Sequence, residues 1–376
     1  MEIYLDNSAT TRVCPEAAEA AMNAMLTDYG NPSSTHAKGR AALKLVMNAR
    51  KQLAKALGCE AFELAFTSCG SESDNWALWS GADAVSRRGG HVISSTVEHD
   101  AVRKALDELE RRGYEVTRLT PGGSGAVTPE QVAGAVQPDT ILCSLMLVNN
   151  ETGAVTDIAA ISKLVKAANP DALMHTDAVQ GFLKLPFSAK SLGADLISIS
   201  GHKVHAPKGI GALYIKSGVR LRPLIVGGAQ EDGRRAGTEN VPYICAFGEA
   251  VRVGFAQAAE SQERMRSLRQ GAIDRLKAAI PELVVIGGGS PHILSLSLPG
   301  YRSEVLMNFL ESREIYVSRS SACKKGARSH VLEAMGLAPE VIDGAIRVGL
   351  SRLTTREDMD ALCAALIDAH GTLAHG

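Results

Sequence analysis

The sequence predicts an α/β protein with a large domain of mostly parallel sheet and a smaller α+β domain. Three observations carry this. Seven short β-rich runs alternate with helical patterns through the first two thirds of the chain. From about Glu239 to Ala279 the pattern is almost wholly helical. Beyond it, strands and helices mix in a different style. The division between the two parts is expected inside the long helical stretch, near residue 257.

The runs justify themselves in order. "ELAFT" (63–67), "HVISST" (91–96), "EVTRL" (115–119) and "TILCSLMLV" (140–148) are rich in β-branched or aromatic residues. So are "DLISIS" (195–200) and "GALYI" (211–215), and "ALMHTD" (172–177) is a further candidate strand. Residues 71–86, 98–112, 129–136 and 157–168 place apolar side chains three and four apart, the helical spacing. Thr128 before Pro129 and Thr156 before Asp157 are expected start signals. Strand–helix alternation of this kind gives a mostly parallel sheet with helices on both faces. Later, "LVVIG" (283–287), "ILSLSLP" (293–299), a helix near 303–312, "IYVS" (315–318) and "AIRVGLS" (345–351) form the smaller unit, and a last helix runs from about Thr355 to Ala369.

Composition removes several classes of function. A 376-residue chain with 45% apolar and 22% charged residues is an ordinary globular protein with room for two domains. A net charge of −1 gives no electrostatic case for nucleic acid or an anionic membrane. "MEIYLDNSATT" lacks the basic-then-apolar layout of a signal peptide. No apolar run approaches the roughly 20 residues of a spanning helix. Seven cysteines, with no C-x-x-C pair, argue against a disulfide framework or zinc knuckle and for a reducing cytoplasm.

In open α/β sheets, ligands bind beyond the carboxyl ends of the strands. Five such ends here carry polar, titratable or glycine-rich groups: "SCGSESDN", "VEHD", "NNETG", Asp177 with "AVQ", and "GHKVHAPKG". Five on one sheet edge read as a site. "SCGSES" opens a helix whose amino end suits a phosphate, or it is a plain cap by Ser71 with Glu72 in the first turn. Lys203 is a lysine able to form a Schiff base if buried, or a surface lysine. Asp177 is a partner for a protonated ring nitrogen, or a helix cap. His202 and His205 have metal-ligand character, but no cluster with ligand spacing accompanies them, so no metal is expected. A phosphate cradle, a Schiff-base lysine and a ring-pairing aspartate are the parts needed to hold pyridoxal phosphate.

The motifs "YGNPSSTH" (29–36), "TSCGSESDN" (67–75), "VEHDAV" (97–102), "VNNETG" (148–153) and "HTDAVQ" (175–180) go further in combination. So do "SGHKVHAPKGIGALY" (200–214), "RRAGTENV" (234–241) and "SSAC" (320–323). From "YLDNSATT" to "IRVGLSRLTT", the chain resembles the cysteine desulfurases of the NifS/IscS type, in the aspartate-aminotransferase-like, fold type I group of pyridoxal-phosphate enzymes. The resemblance implies a large cofactor domain over 15–257, a small domain over 258–376 carrying the cysteine loop, and residues 1–14 joining the small domain. It implies that Lys203 carries the cofactor and moves protons. His99 would stack on the ring, Asp177 would hold the pyridinium proton, and Gln180 and Asn150 would contact the ring-oxygen region. Gly70, Ser71, Ser200 and His202 would bind the phosphate, joined by Thr238 from the partner subunit of a homodimer. Arg347 would pair with the substrate carboxylate, with Asn31 and Asn150 on the substrate side. Cys323 would attack the sulfur of L-cysteine, giving L-alanine and a persulfide passed to an acceptor protein, for iron–sulfur assembly or transfer-RNA thiolation. The same thiolate is a possible transient iron–sulfur ligand. The basic neighbours Lys324, Lys325 and Arg328 should favour it.

Departures from the family pattern are Cys69 for glycine, Ser71 for threonine, Ala229 for glycine and Ala236 for serine. Cys69 is a second thiol near the cofactor or a small buried residue; the two alanines have no functional account. The alternative enzymes are a selenocysteine lyase or another fold type I aminotransferase or lyase, which would keep Lys203 and Asp177 without needing Cys323. A non-catalytic scaffold is the alternative from another class, and intact Lys203, Asp177 and Cys323 speak against it.

Overall fold

The computed structural model of the protein describes residues 2–319 and 328–373. Seven strands form the main sheet in the spatial order Leu64–Thr67, Gly211–Ile215, Leu196–Ser200, Leu173–Asp177, Thr140–Ser144, His91–Ser95, Glu115–Leu119. All run parallel except Gly211–Ile215, which is antiparallel to both neighbours. Successive residues of a strand point to opposite faces, and both faces are covered. Phe66, Ile93, Met174, Ile197 and Ala212 meet the core under helices Ala37–Leu57 and Val241–Ala256. Ala65, Val92, Leu173, Leu196 and Leu213 meet Trp76 and Leu106 from helices Gly70–Val85 and Asp100–Arg111 on the other face. The result is three layers, helix on sheet on helix.

Strand order decides where a ligand can sit. From His91–Ser95 the chain moves outward to Glu115–Leu119, then returns to Thr140–Ser144 and proceeds the other way. The loops after His91–Ser95 and Thr140–Ser144 therefore diverge and leave a crevice at the carboxyl ends of the strands.

A second sheet of four antiparallel strands has the order Ser318–Arg319, Ala345–Gly349, Ile293–Ser297, Val284–Ile286. It shares a separate core with helices Ala258–Ala279 and Arg356–Thr372. The N-terminal segment bridges both units. Ile3–Tyr4 pairs in parallel with Ile315–Tyr316, whereas Thr11 and Cys14 donate main-chain bonds to His202 and His205.

Three local expectations are corrected. Asp157, not Thr156, caps the Ile158–Ala168 helix, its carboxylate accepting from Ala160 N at 3.0 Å. The strand expected over 140–148 ends at Ser144, because Val148 pairs with Val155 and closes "VNNETG" into its own turn. "IYVS" splits at Val317 between the two small sheets. Among the described residues no helix is long and apolar enough to cross a membrane.

Candidate active site

Leu64–Thr67 ends beneath the amino end of the Gly70–Val85 helix. Cys69 stands at the N-cap and supplies no side-chain cap, so the expected alternative of a Ser71 cap does not form. The first-turn N–H groups lack a side-chain acceptor, and the positive helix end opens on the crevice. Two glycines permit this. A Cβ on Gly70 would stand 2.9 Å from Val179 Cγ2, and one on Gly211 would stand 2.8 Å from the Cys69 carbonyl carbon. Side chains at either position would push apart the strand, the helix start and the loop after Asp177.

The crevice is a cavity of about 550 Å³. Gly70, Ser71, His99, Asn150, Asp177, Gln180, Ser200, His202, Lys203 and Arg347 all line it, so ten of the sequence-predicted site residues meet at one place. Asn31 and Thr238 do not. Both are exposed, and neither borders the cavity of this chain. Cys323, Lys324 and Lys325 lie outside the described residues. Arg328, where description resumes, is held by Asp343 through two bonds of 2.8 Å.

Lys203 follows the Leu196–Ser200 strand in a single turn, Gly201–Lys203. Its Nζ donates to Ser8 O and Ala9 O, both at 2.7 Å. Burial, reinforced by the Arg347 guanidinium, brings its pKa down to about 8, while Asp177 and Asp6 pull the other way. The neutral form that a nucleophilic amine needs is therefore far more populated near physiological pH than in an ordinary lysine, although the ammonium still predominates below about 8.

Asp177 ends the neighbouring strand, in register with Ser198. One carboxylate oxygen accepts from Val179 N at 2.9 Å. Burial raises its pKa, and His99 and Lys203 oppose that rise. His99 caps the Asp100–Arg111 helix, its Nδ1 accepting from Ala101 N at 3.1 Å, which fixes the ring. His202 is neutral: burial, with Lys203 beside it, lowers its pKa to about 4. Arg347 projects from Ala345–Gly349, donates to Asn150 O at 2.8 Å and pairs with Asp6 at 3.0 Å, and keeps a buried Nε without a partner.

Residue reasoning on the sequence gives no role to several groups found here. Ser8, Ala9 and Asp6 come from the N-terminal segment and hold Lys203 and Arg347. Asp74 and Glu98 line the cavity beside Asp177, and both are fully buried. Burial, with Asp177 nearby, raises Asp74 well above the carboxylate range; burial raises Glu98 to about 8. His175 stands between Ser144 and Ser198 and is kept neutral by burial, at about 3. Such groups are assigned by burial, which no local pattern announces. Among the described residues no group of three or more His, Cys, Asp or Glu side chains is placed to hold a metal ion. His202 bonds Thr10 and His205 bonds the Arg12 carbonyl instead.

A family model described as aminotransferase class-V matches residues 3–362. The chain belongs to the class-V aminotransferase family. Its relatives include a cysteine desulfurase IscS of Methanosarcina thermophila, 41% identical over 95% of this chain and 89% of the relative. A cysteine desulfurase of Trichormus azollae is 42% identical over 95% of this chain and 90% of the relative. Among solved structures, a NifS-like protein superposes with a TM-score of 0.93 at 36% identity, covering 99% of this chain and all of its own. SspA in complex with cysteine gives a TM-score of 0.81 at 32% identity over 94% of this chain.

Class-V aminotransferases use pyridoxal phosphate, and the residues present fit it. The Ser200 hydroxyl is buried without a partner beside the uncapped helix end, a donor set for a phosphate. In the same cavity lie a half-buried amine and a buried carboxylate, Lys203 and Asp177, as such a ring requires.

Proposed function

We propose that this class-V aminotransferase is a pyridoxal-phosphate-dependent cysteine desulfurase. The observation that carries the reading is a half-buried lysine with a lowered pKa sharing one cavity with a buried carboxylate, in a chain that matches curated cysteine desulfurases over 95% of its length. Pyridoxal phosphate, once bound, supplies a sink for the electron pair left when the substrate Cα loses its proton.

The chain's residues supply the rest. Gly70, Ser71, Ser200 and His202 hold the phosphate. Asp177 holds the ring-nitrogen proton, and His99 stacks on the ring. Lys203 holds the cofactor and, once displaced, carries the Cα proton. Gln180 and Asn150 contact the ring-oxygen region. Arg347 takes the substrate carboxylate through its guanidinium fork, with Asn150 beside it. Cys323 is the sulfur acceptor within the chain. Its thiol gives up a proton, and the thiolate forms a bond to the substrate sulfur as the Cβ–S bond breaks. That bond's electron pair goes to Cβ, which is protonated to the methyl group of L-alanine. Sulfur remains as a persulfide, and no outside oxidant is needed. SspA, solved in complex with cysteine, supports L-cysteine as the substrate class. A selenocysteine lyase is not favoured by relatives of this kind.

The working form is a homodimer. Met22, Met25, Leu26 and Tyr29 are half or more exposed near the Pro15–Leu26 helix, and Met47 on the neighbouring Ala37–Leu57 helix is 50% exposed. Apolar exposure of this kind fits an interface between copies. Exposed Thr238 and Asn31 would then complete the partner's cavity. The two units divide at Gln257, between helices Val241–Ala256 and Ala258–Ala279, with 1–14 joining the small unit. A sulfur acceptor of the iron–sulfur assembly or transfer-RNA thiolation type takes the persulfide. A reducing cytoplasm suits free Cys14, Cys59, Cys69, Cys143, Cys245 and Cys363. The test is alanine release from L-cysteine. Cys323→Ala is expected to keep the cofactor's visible band and make no alanine; full retained activity would contradict the reading.

A further inference from the structure

Behind Lys203, away from the crevice, lies a second and much smaller cavity of about 30 Å³. Its polar lining comes from Lys184, Lys203, His205, Ser261, Ser351 and Arg352, with no carboxylate among the described residues that border it. Lys184 is 6% exposed, and its Nζ has no hydrogen-bond partner. The Nε of Arg352 is likewise buried and unpartnered. An unpaired buried cation is costly, so such groups are ordinarily neutralised or paired.

The surroundings of Lys184 are cationic or neutral on every side. Lys203 and Arg347 act on it directly, and His202, His205 and His292 each feel its charge. The carboxylates of Asp177 and Asp6 act on Lys203 instead. Glu16 acts on Arg352 from the surface. His205 turns its Nδ1 to the Arg12 carbonyl at 2.9 Å. Two lining residues, Leu183 and His205, have left-handed backbones, with φ of 61° and 67°. Side chains of this size rarely adopt that conformation unless the surroundings enforce it. Both strained residues thus flank a small, partly open cavity with a cationic, acid-free lining.

We propose that this cavity is a binding site for a small monovalent anion, a halide, held by Lys184 and Arg352. Its volume exceeds the 10–15 Å³ or so that a water molecule needs and suits a single compact ion. The Ser261 and Ser351 hydroxyls border it and can turn their protons toward an anion. The site requires the charged form of Lys184. Burial lowers that amine to about 7, so halide binding brings a proton with it as pH rises past that value. Halide affinity is therefore expected to weaken by about tenfold for each pH unit above it.

Bromide is the probe. Crystals of the protein soaked in sodium bromide are expected to show an anomalous peak in this cavity between Lys184 and Arg352. In solution, bromide replacing gluconate at constant ionic strength is expected to raise the melting temperature at pH 6. At pH 8.5 the apparent affinity should be more than tenfold weaker. Lys184→Met should abolish both effects. Density without anomalous signal, meaning water alone, would overturn the proposal. So would a bromide peak or stabilisation that survives Lys184→Met. If that variant does not fold, the anomalous map of the unsubstituted protein decides.

Discussion

Replacing Arg347 by lysine keeps the charge and removes the fork. In the structure the guanidinium already spends one Nη1 hydrogen on Asn150 O at 2.8 Å and one Nη2 hydrogen on Asp6 at 3.0 Å. Its Nε hydrogen is buried and unpartnered. A carboxylate arriving from the cavity side can take that Nε hydrogen together with a remaining Nη hydrogen. Lysine presents one nitrogen and cannot supply both bonds while holding Asn150 and Asp6. The variant therefore loses at least one charge-assisted bond to substrate, worth about 1.5–3 kcal/mol. At 1.4 kcal/mol per factor of ten, kcat/KM for L-cysteine should fall roughly 10- to 150-fold. Most of the fall should be in KM, because the carboxylate is bound alike in ground and transition states. Losing a partner for half-buried Asn150 O also costs up to about 1 kcal/mol of stability, so assays belong well below the melting temperature. The decisive comparison is cysteamine, which is L-cysteine without its carboxylate. In the unsubstituted protein cysteine should be strongly preferred over cysteamine, and in Arg347→Lys the preference should shrink by the same 10- to 150-fold or so. An unchanged preference would refute the assignment of Arg347 to the carboxylate.

Two further outcomes follow from the same geometry. Lys203 has its pKa lowered, so its neutral form grows as pH rises through about 8. Reconstitution of cofactor-free protein with pyridoxal phosphate, followed by the visible band, should quicken about tenfold per pH unit below that value and level off above it; a midpoint near 10.5 would mean the amine is not buried as described. Glu231, 6% exposed, clamps the molecule by accepting from Arg50 at 2.7 and 2.8 Å and from Phe66 N at 2.9 Å. Glu231→Ala leaves a mostly buried guanidinium unpaired and should cost about 3–5 kcal/mol in denaturant unfolding; a loss under 1 kcal/mol or so would show the clamp is idle.

The parts of the fold that were legible in the sequence are those whose burial matches their local pattern. Glu115–Leu119 and Gly211–Ile215 form where their β-rich runs stand, and Thr128 caps the Pro129–Ala135 helix with Gln131 closing the box. The Pro15–Leu26 helix shows why others were not. Its buried stripe is Ala17, Ala21 and Ala24, while Met22, Met25 and Leu26 face outward, so hydropathy alone points to the wrong face. Asp157 displaces Thr156 as a cap because its carboxylate reaches Ala160 N, a contest between adjacent capping residues that spacing does not decide. At the site, Lys203, Asp177 and His99 stand out because strand ends are few and their chemistry is unusual there. Asp74, Glu98 and Lys184 do not, since an acid or amine in a helix or loop looks solvated until the tertiary structure closes over it.

The most direct test of the desulfurase reading is the address of the sulfur. The protein, loaded with pyridoxal phosphate, is mixed with one equivalent of L-cysteine, quenched with an alkylating reagent, and digested for peptide mass mapping. The expected result is one equivalent of L-alanine and one added sulfur atom on the peptide carrying Cys323, with Cys69 and the other cysteines unchanged. Alanine formed without sulfur on Cys323, or sulfur found on Cys69 instead, would contradict it.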